Sequence, residues 1–97
     1  MDLGKHMAVI DIRREHAKSL KSAKSAVEQV ANAIAREYNV DHHWSGDDLH
    51  FDRSGVKGCI AVAKDAVHVH VELGFVMAAL KPVIEREIKR RLDDYMA

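Results

Sequence analysis

Apolar and polar residues alternate one by one near the start of the chain and then change to a helical spacing. Residues 8–15 follow the alternation, which is typical of a strand with one buried face. In residues 19–38 the apolar side chains recur every three or four positions, and this spacing predicts an amphipathic helix. Ser19 is a candidate N-cap of this helix, and Asn39 is expected to end it in the left-handed conformation.

Short turn sequences divide the middle of the chain into four further predicted strands. The segments VDHHW, LHFDR, VKGCIAVA and AVHVHVEL are separated by SGDD, SG and KD. Turns of this length join neighbouring antiparallel strands, because a parallel connection needs a longer crossover. Alternation places the aliphatic residues of these strands on one face, toward the helices. The opposite face is predicted to carry His50, Asp52, Cys59, Ala61, His68, His70 and Glu72.

A helical period returns in residues 75–95, where Pro82 interrupts it. A proline removes one helical hydrogen bond and crowds the preceding turn, so a kink or a new helix is expected near Lys81. The predicted fold is α+β with the order β-α-β-β-β-β-α, and both helices pack on one face of a curved antiparallel sheet. This architecture resembles a small helix-grip domain. The predicted apolar stripe of the last helix is Val76, Leu80, Val83, Ile84, Ile88, Leu92 and Tyr95.

The sequence Leu-Gly-Phe connects the last predicted strand to the last predicted helix. We expect Leu73 to complete the inward-facing series of that strand. Gly74 is expected to allow a sharp turn through a positive φ, which glycine adopts freely. Phe75 is then expected to fold back under the sheet and close the same core. On this interpretation the three residues have a structural role.

The length and charge of the chain limit its class. Residues 7–97 are expected to form a single α+β domain, and residues 1–6 a disordered leader or cloning remnant. Fifteen basic residues balance fifteen acidic ones, whereas proteins that bind nucleic acid usually carry a basic excess. The apolar run FVMAAL is about a third of the roughly 20 residues that a membrane span needs. The sequence predicts neither a nucleic-acid partner nor a membrane span.

A single cysteine, Cys59, excludes an internal disulfide and a paired-cysteine metal motif. It fits a reducing compartment, and the cytoplasm is the expected location. Together with Ala61 and Ala63, Cys59 gives the outer side of the predicted sheet a flat area of small residues. Because two-fold association is the commonest way to cover such a surface, we expect a homodimer.

Histidines are the candidate metal ligands of this sequence. His68 and His70 lie on one face of a predicted strand and could approach His50 across the sheet. Zinc sites need three or four ligands with supporting hydrogen bonds, and no carboxylate or thiolate stands at a recognised sequence spacing from these residues. His68 and His70 are therefore interpreted as solvent-exposed strand residues. Neither a metal nor another cofactor is predicted.

The sequence lacks the usual patterns of a catalytic site. It contains no glycine-flanked nucleophilic serine, and Cys59 has no evident histidine partner. The stretch RSGVKG is too short for a phosphate loop and is not followed by a helix that would supply amide donors. No catalytic residue is predicted, and a non-enzymatic protein is favoured over an enzyme.

Three stretches resemble the family of polyhydroxyalkanoic acid system proteins: IDIRREH, LHFDRSGVKG and ELGFVMAALKPVIEREIKRRLDD. The resemblance extends from Met7 to Asp94. It implies a bacterial protein encoded beside genes for making, storing and mobilising polyhydroxyalkanoate polyester, with the granule surface or a granule protein as its partner. The family has no established catalytic residues, so none is transferred. The most specific motif residues are Arg53, Ser54, Gly55 and Val56, then Leu73, Gly74 and Phe75, then Leu80, Lys81 and Pro82.

Two functions remain open at this point. The first is a granule-associated or regulatory protein that acts through protein or polymer-surface contacts. The second is a ligand-binding or enzymatic domain with an apolar pocket between the sheet and the last helix. A filled core with an exposed apolar patch favours the first, and an open cavity favours the second. The predicted pocket residues are Trp44, Phe51, Phe75, Met77 and Leu80.

Overall fold

The computed structural model of this protein describes residues 8–96, so the predicted leader, residues 1–6, lies outside the described residues. The elements follow the predicted order, with a short additional helix before the last one. The α+β class and the order β-α-β-β-β-β-α are therefore confirmed. The elements are β1 Ala8–Glu15, α1 Leu20–Tyr38, β2 Asp41–Ser45, β3 Asp48–Arg53, β4 Val56–Val62, β5 Ala66–Leu73, α2 Phe75–Ala78 and α3 Lys81–Met96.

All five strands form one antiparallel sheet in the order β1-β5-β4-β3-β2. Strands β2 to β5 are joined by short turns, and β1 pairs with β5, so that Ile10 lies opposite Val71. The predicted alternation is confirmed, because the helix-facing side is buried and the opposite side, called here the outer face, is polar. The buried residues on the helix-facing side of the strands are Ile10, Ile12, Leu49, Phe51, Ile60, Val62, Val67, Val69, Val71 and Leu73.

Helix α1 begins and ends at the predicted residues. The Ser19 hydroxyl accepts a hydrogen bond from the Ser22 N–H at 3.1 Å, which satisfies a donor of the first turn. Asn39 ends the helix with φ 56° and ψ 51°, in the left-handed region. The buried face of α1 consists of alanines and valines. These residues are Ala23, Ala26, Val27, Val30, Ala31 and Ala33.

Helix α3 packs against α1 and β1 through Ile88, Leu92 and Met96. At the margin of this contact, Arg91 Nη2 donates a hydrogen bond to Glu37 Oε1 of α1 at 2.7 Å. The predicted break at the proline is confirmed, since α2 ends at Ala78 and α3 begins at Lys81. Pro82 lies in the first turn of α3, where a missing N–H costs little.

The start of the predicted apolar stripe differs from expectation. Leu73 is fully buried, as predicted, but Phe75 is 72% exposed, so the expectation that it closes the core is wrong. Val76, Leu80 and Val83 of the predicted stripe are also exposed. Ile88 and Leu92 are buried, and Ile84 and Tyr95 are partly buried. The reason is geometric: the chain leaves the sheet after Leu73, and α2 extends beyond the surface that the sheet could cover.

Gly74 also differs from expectation, because its φ is −68° and its ψ is 177°. This is extended backbone that any residue adopts, so a positive φ is not the reason for the glycine. The positive φ lies instead at Gly55, with φ 84°, in the turn between β3 and β4. A non-glycine residue is strained in that conformation.

Candidate functional site

The Arg-Ser-Gly-Val turn and the Leu-Gly-Phe junction meet at one corner of the molecule. Val56 and Leu73 are paired across β4 and β5, and the Gly74 N–H donates a hydrogen bond to the Gly55 carbonyl at 2.8 Å. A Cβ at Gly74 would lie 3.5 Å from the Gly55 Cα. The turn and the junction therefore form one structural unit, which we call the corner unit and from which α2 extends.

Arg53 fixes this unit to the helical layer. Its Nη1 donates a hydrogen bond to the Tyr38 carbonyl at 3.0 Å, at the C-terminal end of α1. That carbonyl is one of the acceptors left without an intrahelical partner at a helix end. Ser54 is exposed in the turn. The arginine and the turn thus have structural explanations in this fold.

An exposed apolar surface lies directly beyond the unit. We call Phe75, Val76, Leu80 and Val83 the corner patch; their side chains are 72%, 80%, 45% and 52% exposed. Among residues 8–96, five large apolar side chains are exposed, and four of them belong to this patch. Within residues 75–83 the only charged side chain is that of Lys81. Isolated exposed apolar residues are normal, whereas these four lie close together in the sequence, within residues 75–83.

A partly open apolar cavity of about 60 Å³ lies between the sheet and helices α1 and α3. Two of the predicted pocket residues, Phe51 and Met77, line it together with Tyr38, Ile84 and Ile88. A cavity of roughly 150 Å³ holds one benzene molecule, so this one is too small for a ligand of that size. The other predicted pocket residues, Trp44, Phe75 and Leu80, are not among its lining residues.

Trp44 instead anchors β2 to α1. Its Nε1–H donates a hydrogen bond to Glu28 Oε1 at 2.5 Å, and the Lys24 ammonium lies 5.0 Å from the centroid of its ring. A cation at that distance over an indole is attracted by the ring. Trp44 therefore holds the edge strand against the helix, and its place in a ligand site stays a prediction.

The outer face carries a transverse row of titratable side chains. Reading across the sheet, the register aligns His43 with His50, His50 with Cys59, Cys59 with His70, and His70 with Asp11. The rings of His43 and His50 are stacked, with centroids 5.3 Å apart. The homodimer that was predicted through this face stays a prediction, since one chain is described.

His68 and His70 are exposed strand residues, as predicted. The His68 imidazole contacts the Asp11 carboxylate, and His70 Nε2 lies 3.6 Å from Glu72 Oε2. His70 and His50 are separated by strand β4, with Cys59 between them. These three histidines therefore do not meet at one point.

Cys59 is the feature that sequence reasoning missed. Its Sγ, a ring nitrogen of His50 and a carboxylate oxygen of Asp48 all lie within 4.8 Å of one another. The sequence separates the thiol from the other two groups by nine and eleven residues, which is not a familiar motif. The hairpin register is the signal that brings them together, because His50 pairs with Cys59.

The thiol of Cys59 is expected to react slowly with iodoacetamide in metal-free protein. Burial raises the pKa of this thiol, and the Asp48 carboxylate raises it further. A raised pKa leaves a smaller thiolate fraction at neutral pH, and the thiolate is the reactive form. Mass spectrometry of the alkylated chain should therefore show slower modification in the folded protein than in urea, with a rate that rises with pH. Faster modification of the folded protein would indicate an activated nucleophile.

No helix within residues 8–96 is long and apolar enough to cross a membrane. Among protein-family models, the one for the polyhydroxyalkanoic acid system protein matches residues 10–96. The match includes both segments of the corner unit and the whole corner patch. Comparison with curated proteins and with solved structures found no match.

Proposed function

This chain belongs to the family of polyhydroxyalkanoic acid system proteins, and we propose that it binds the surface of polyhydroxyalkanoate storage granules through the corner patch, as a non-enzymatic cytoplasmic protein. The observation that supports this proposal is the concentration of exposed apolar side chains in residues 75–83. An aliphatic polyester presents an apolar surface to water. Phe75, Val76, Leu80 and Val83 gain free energy when they leave water for such a surface.

The size of the patch suits reversible binding. Complete burial of one such side chain contributes roughly 1.5–3 kcal/mol, and these four residues are already partly covered. Part of the gain is offset by the lost rotational and translational freedom of the protein. Because α2 and the first turn of α3 hold the four side chains in place, little additional ordering is needed on binding. The protein would thus exchange between the granule and the surrounding solution.

The ligand-binding alternative has less support from the structure. Its pocket would have to lie between the sheet and α3, where the cavity measures about 60 Å³. The apolar side chains that would have lined it, Phe75 and Leu80, face solvent instead. A granule protein as the direct partner remains a second form of the same proposal, since an apolar patch also fits a protein surface.

The double substitution Phe75→Gln and Leu80→Gln is expected to weaken granule binding by tenfold or more. Loss of about 1.4 kcal/mol of binding free energy corresponds to a factor of ten. Co-sedimentation of the purified full chain with polyhydroxyalkanoate granules, over a range of granule concentrations, measures the effect. Because both side chains are exposed, the unfolding midpoint should change little.

Val9→Thr is the matched control, because Val9 is an apolar residue that is 43% exposed, lies on the outer face opposite Glu72 and is not one of the four residues of the corner patch. It should bind granules as the unchanged chain does. Binding to granules from which protease has removed the protein would identify the polymer as the partner, and loss of binding would identify a granule protein. Latex beads report unspecific adsorption. Equal binding of the double variant and the unchanged chain, or equal binding of the chain to granules and to latex, would contradict the proposal.

A further inference from the structure

We propose that Asp48, His50 and Cys59 bind one divalent transition-metal ion of the zinc type on the outer face of the sheet. The site shares no residue with the corner patch, and the description of the family names no metal. It rests on the placement of three different metal-binding groups by one hairpin.

The hairpin of β3 and β4 explains why these groups meet. Asp48 and His50 are two residues apart on β3, so their side chains lie on the same face. Cys59 on β4 lies directly opposite His50. The carboxylate oxygen, the ring nitrogen and the sulfur are all within 4.8 Å of one another. Rotation of these side chains would bring the three donor atoms around one ion.

The donor set selects the class of metal. Zinc binds thiolate sulfur at about 2.3 Å and imidazole nitrogen at about 2.0–2.1 Å, so the ligand atoms of a tetrahedral site lie roughly 3.3–3.7 Å apart. The three groups of this hairpin already approach that spacing. Calcium and magnesium prefer oxygen ligands, and a single carboxylate does not satisfy them. Sulfur with nitrogen favours zinc and its borderline neighbours, such as cobalt.

Neighbouring histidines support the proposed site. The His43 ring stacks on His50 with a centroid distance of 5.3 Å and an interplanar angle of 23°, which restricts the orientation of the His50 ring. His70 is paired with Cys59 on the opposite side, in β5. Three protein ligands leave a fourth position on the solvent side of the sheet. Such an open position is typical of metal sites that bind water or a further ligand.

Cobalt titration tests this site, because a thiolate bound to cobalt gives a charge-transfer absorption band that histidine and carboxylate ligands do not give. The full chain is stripped of metal with a chelator, reduced and titrated with Co²⁺, and Zn²⁺ is then added as the competitor. We expect a band that saturates at one ion per chain and disappears when zinc displaces cobalt. Calorimetry of zinc binding provides a readout that does not depend on the band.

Cys59→Ser should abolish the band, and His50→Gln and Asp48→Asn should each weaken zinc binding by at least about tenfold. His68→Gln is the matched control, because His68 is a histidine of the same face that pairs with Ala61 and lies outside the three ligands. Its affinity should equal that of the unchanged chain. Circular dichroism confirms that each variant is folded. Absence of a saturable thiolate band, or unchanged zinc affinity in His50→Gln and Asp48→Asn, would overturn the proposal.

Discussion

Replacement of Leu73 by alanine is expected to lower the free energy of unfolding by about 2–5 kcal/mol, the usual cost of deleting a buried leucine side chain. Leu73 is fully buried at the end of β5, an interior strand of the sheet. It is paired with Ala8 on one side and with Val56 on the other. The truncation would leave a cavity that the neighbouring strands cannot close without breaking this pairing. Urea denaturation followed by circular dichroism measures the loss.

Phe75→Ala is the comparison, because Phe75 is two residues further along the chain and 72% exposed. Its cost should remain within about 0.5 kcal/mol, the usual range for surface substitutions. The larger side chain is thus expected to contribute less to stability than the smaller one. A cost for Phe75→Ala equal to that for Leu73→Ala would contradict the exposed position of Phe75 and remove the basis of the corner patch.

Periodicity was enough to predict the elements and the buried side of the sheet. Alternation in β1 and β5 places Ile10 and Val69 toward the helices, as the structure shows. The ends of α1 were also predictable, because Ser19 and Asn39 have local reasons for their conformations that do not depend on tertiary packing. These features follow from residue type and spacing alone.

The position of Phe75 could not be predicted in the same way. An apolar residue in phase with a buried stripe is expected to be buried, but the pattern does not show how far the sheet extends. After Leu73 the chain leaves the sheet, and Val76 and Leu80 are exposed. Sequence rules are expected to fail where a surface is kept for binding. The error falls on residues of the corner patch, for which binding is proposed above.

The grouping of His50 with Cys59 could have been predicted from the turn. Ser54 and Gly55 form a two-residue turn, so Arg53 pairs with Val56. Three residues further from the turn on each strand, His50 pairs with Cys59. A search for metal ligands along the linear sequence does not make this count. Whether the side chains approach closely enough depends on their rotamers, which the sequence does not give.

In the corner unit, Gly55→Ala is expected to lower the free energy of unfolding by about 1–2 kcal/mol. This is the cost of a left-handed conformation for a residue with a Cβ. Gly55 has φ 84°, and an added Cβ would lie 3.4 Å from the Met77 side chain. Thermal or urea denaturation measures the loss. The flexible methionine can move, so backbone strain should be the main cause.

Substitution of two other glycines distinguishes the cost of backbone strain from the cost of contacts made by the added Cβ. Gly46 has φ 63°, and an added Cβ would meet only open space, so Gly46→Ala should show the strain alone, at a cost close to that of Gly55→Ala. Gly74 has φ −68°, and an added Cβ would make only ordinary contacts with Gly55, so Gly74→Ala should change stability by no more than about 0.5 kcal/mol. A loss for Gly74→Ala as large as that for Gly55→Ala would show that the junction needs glycine for its backbone. In that case Gly74 would not have extended backbone, and α2 would leave the sheet in a different direction.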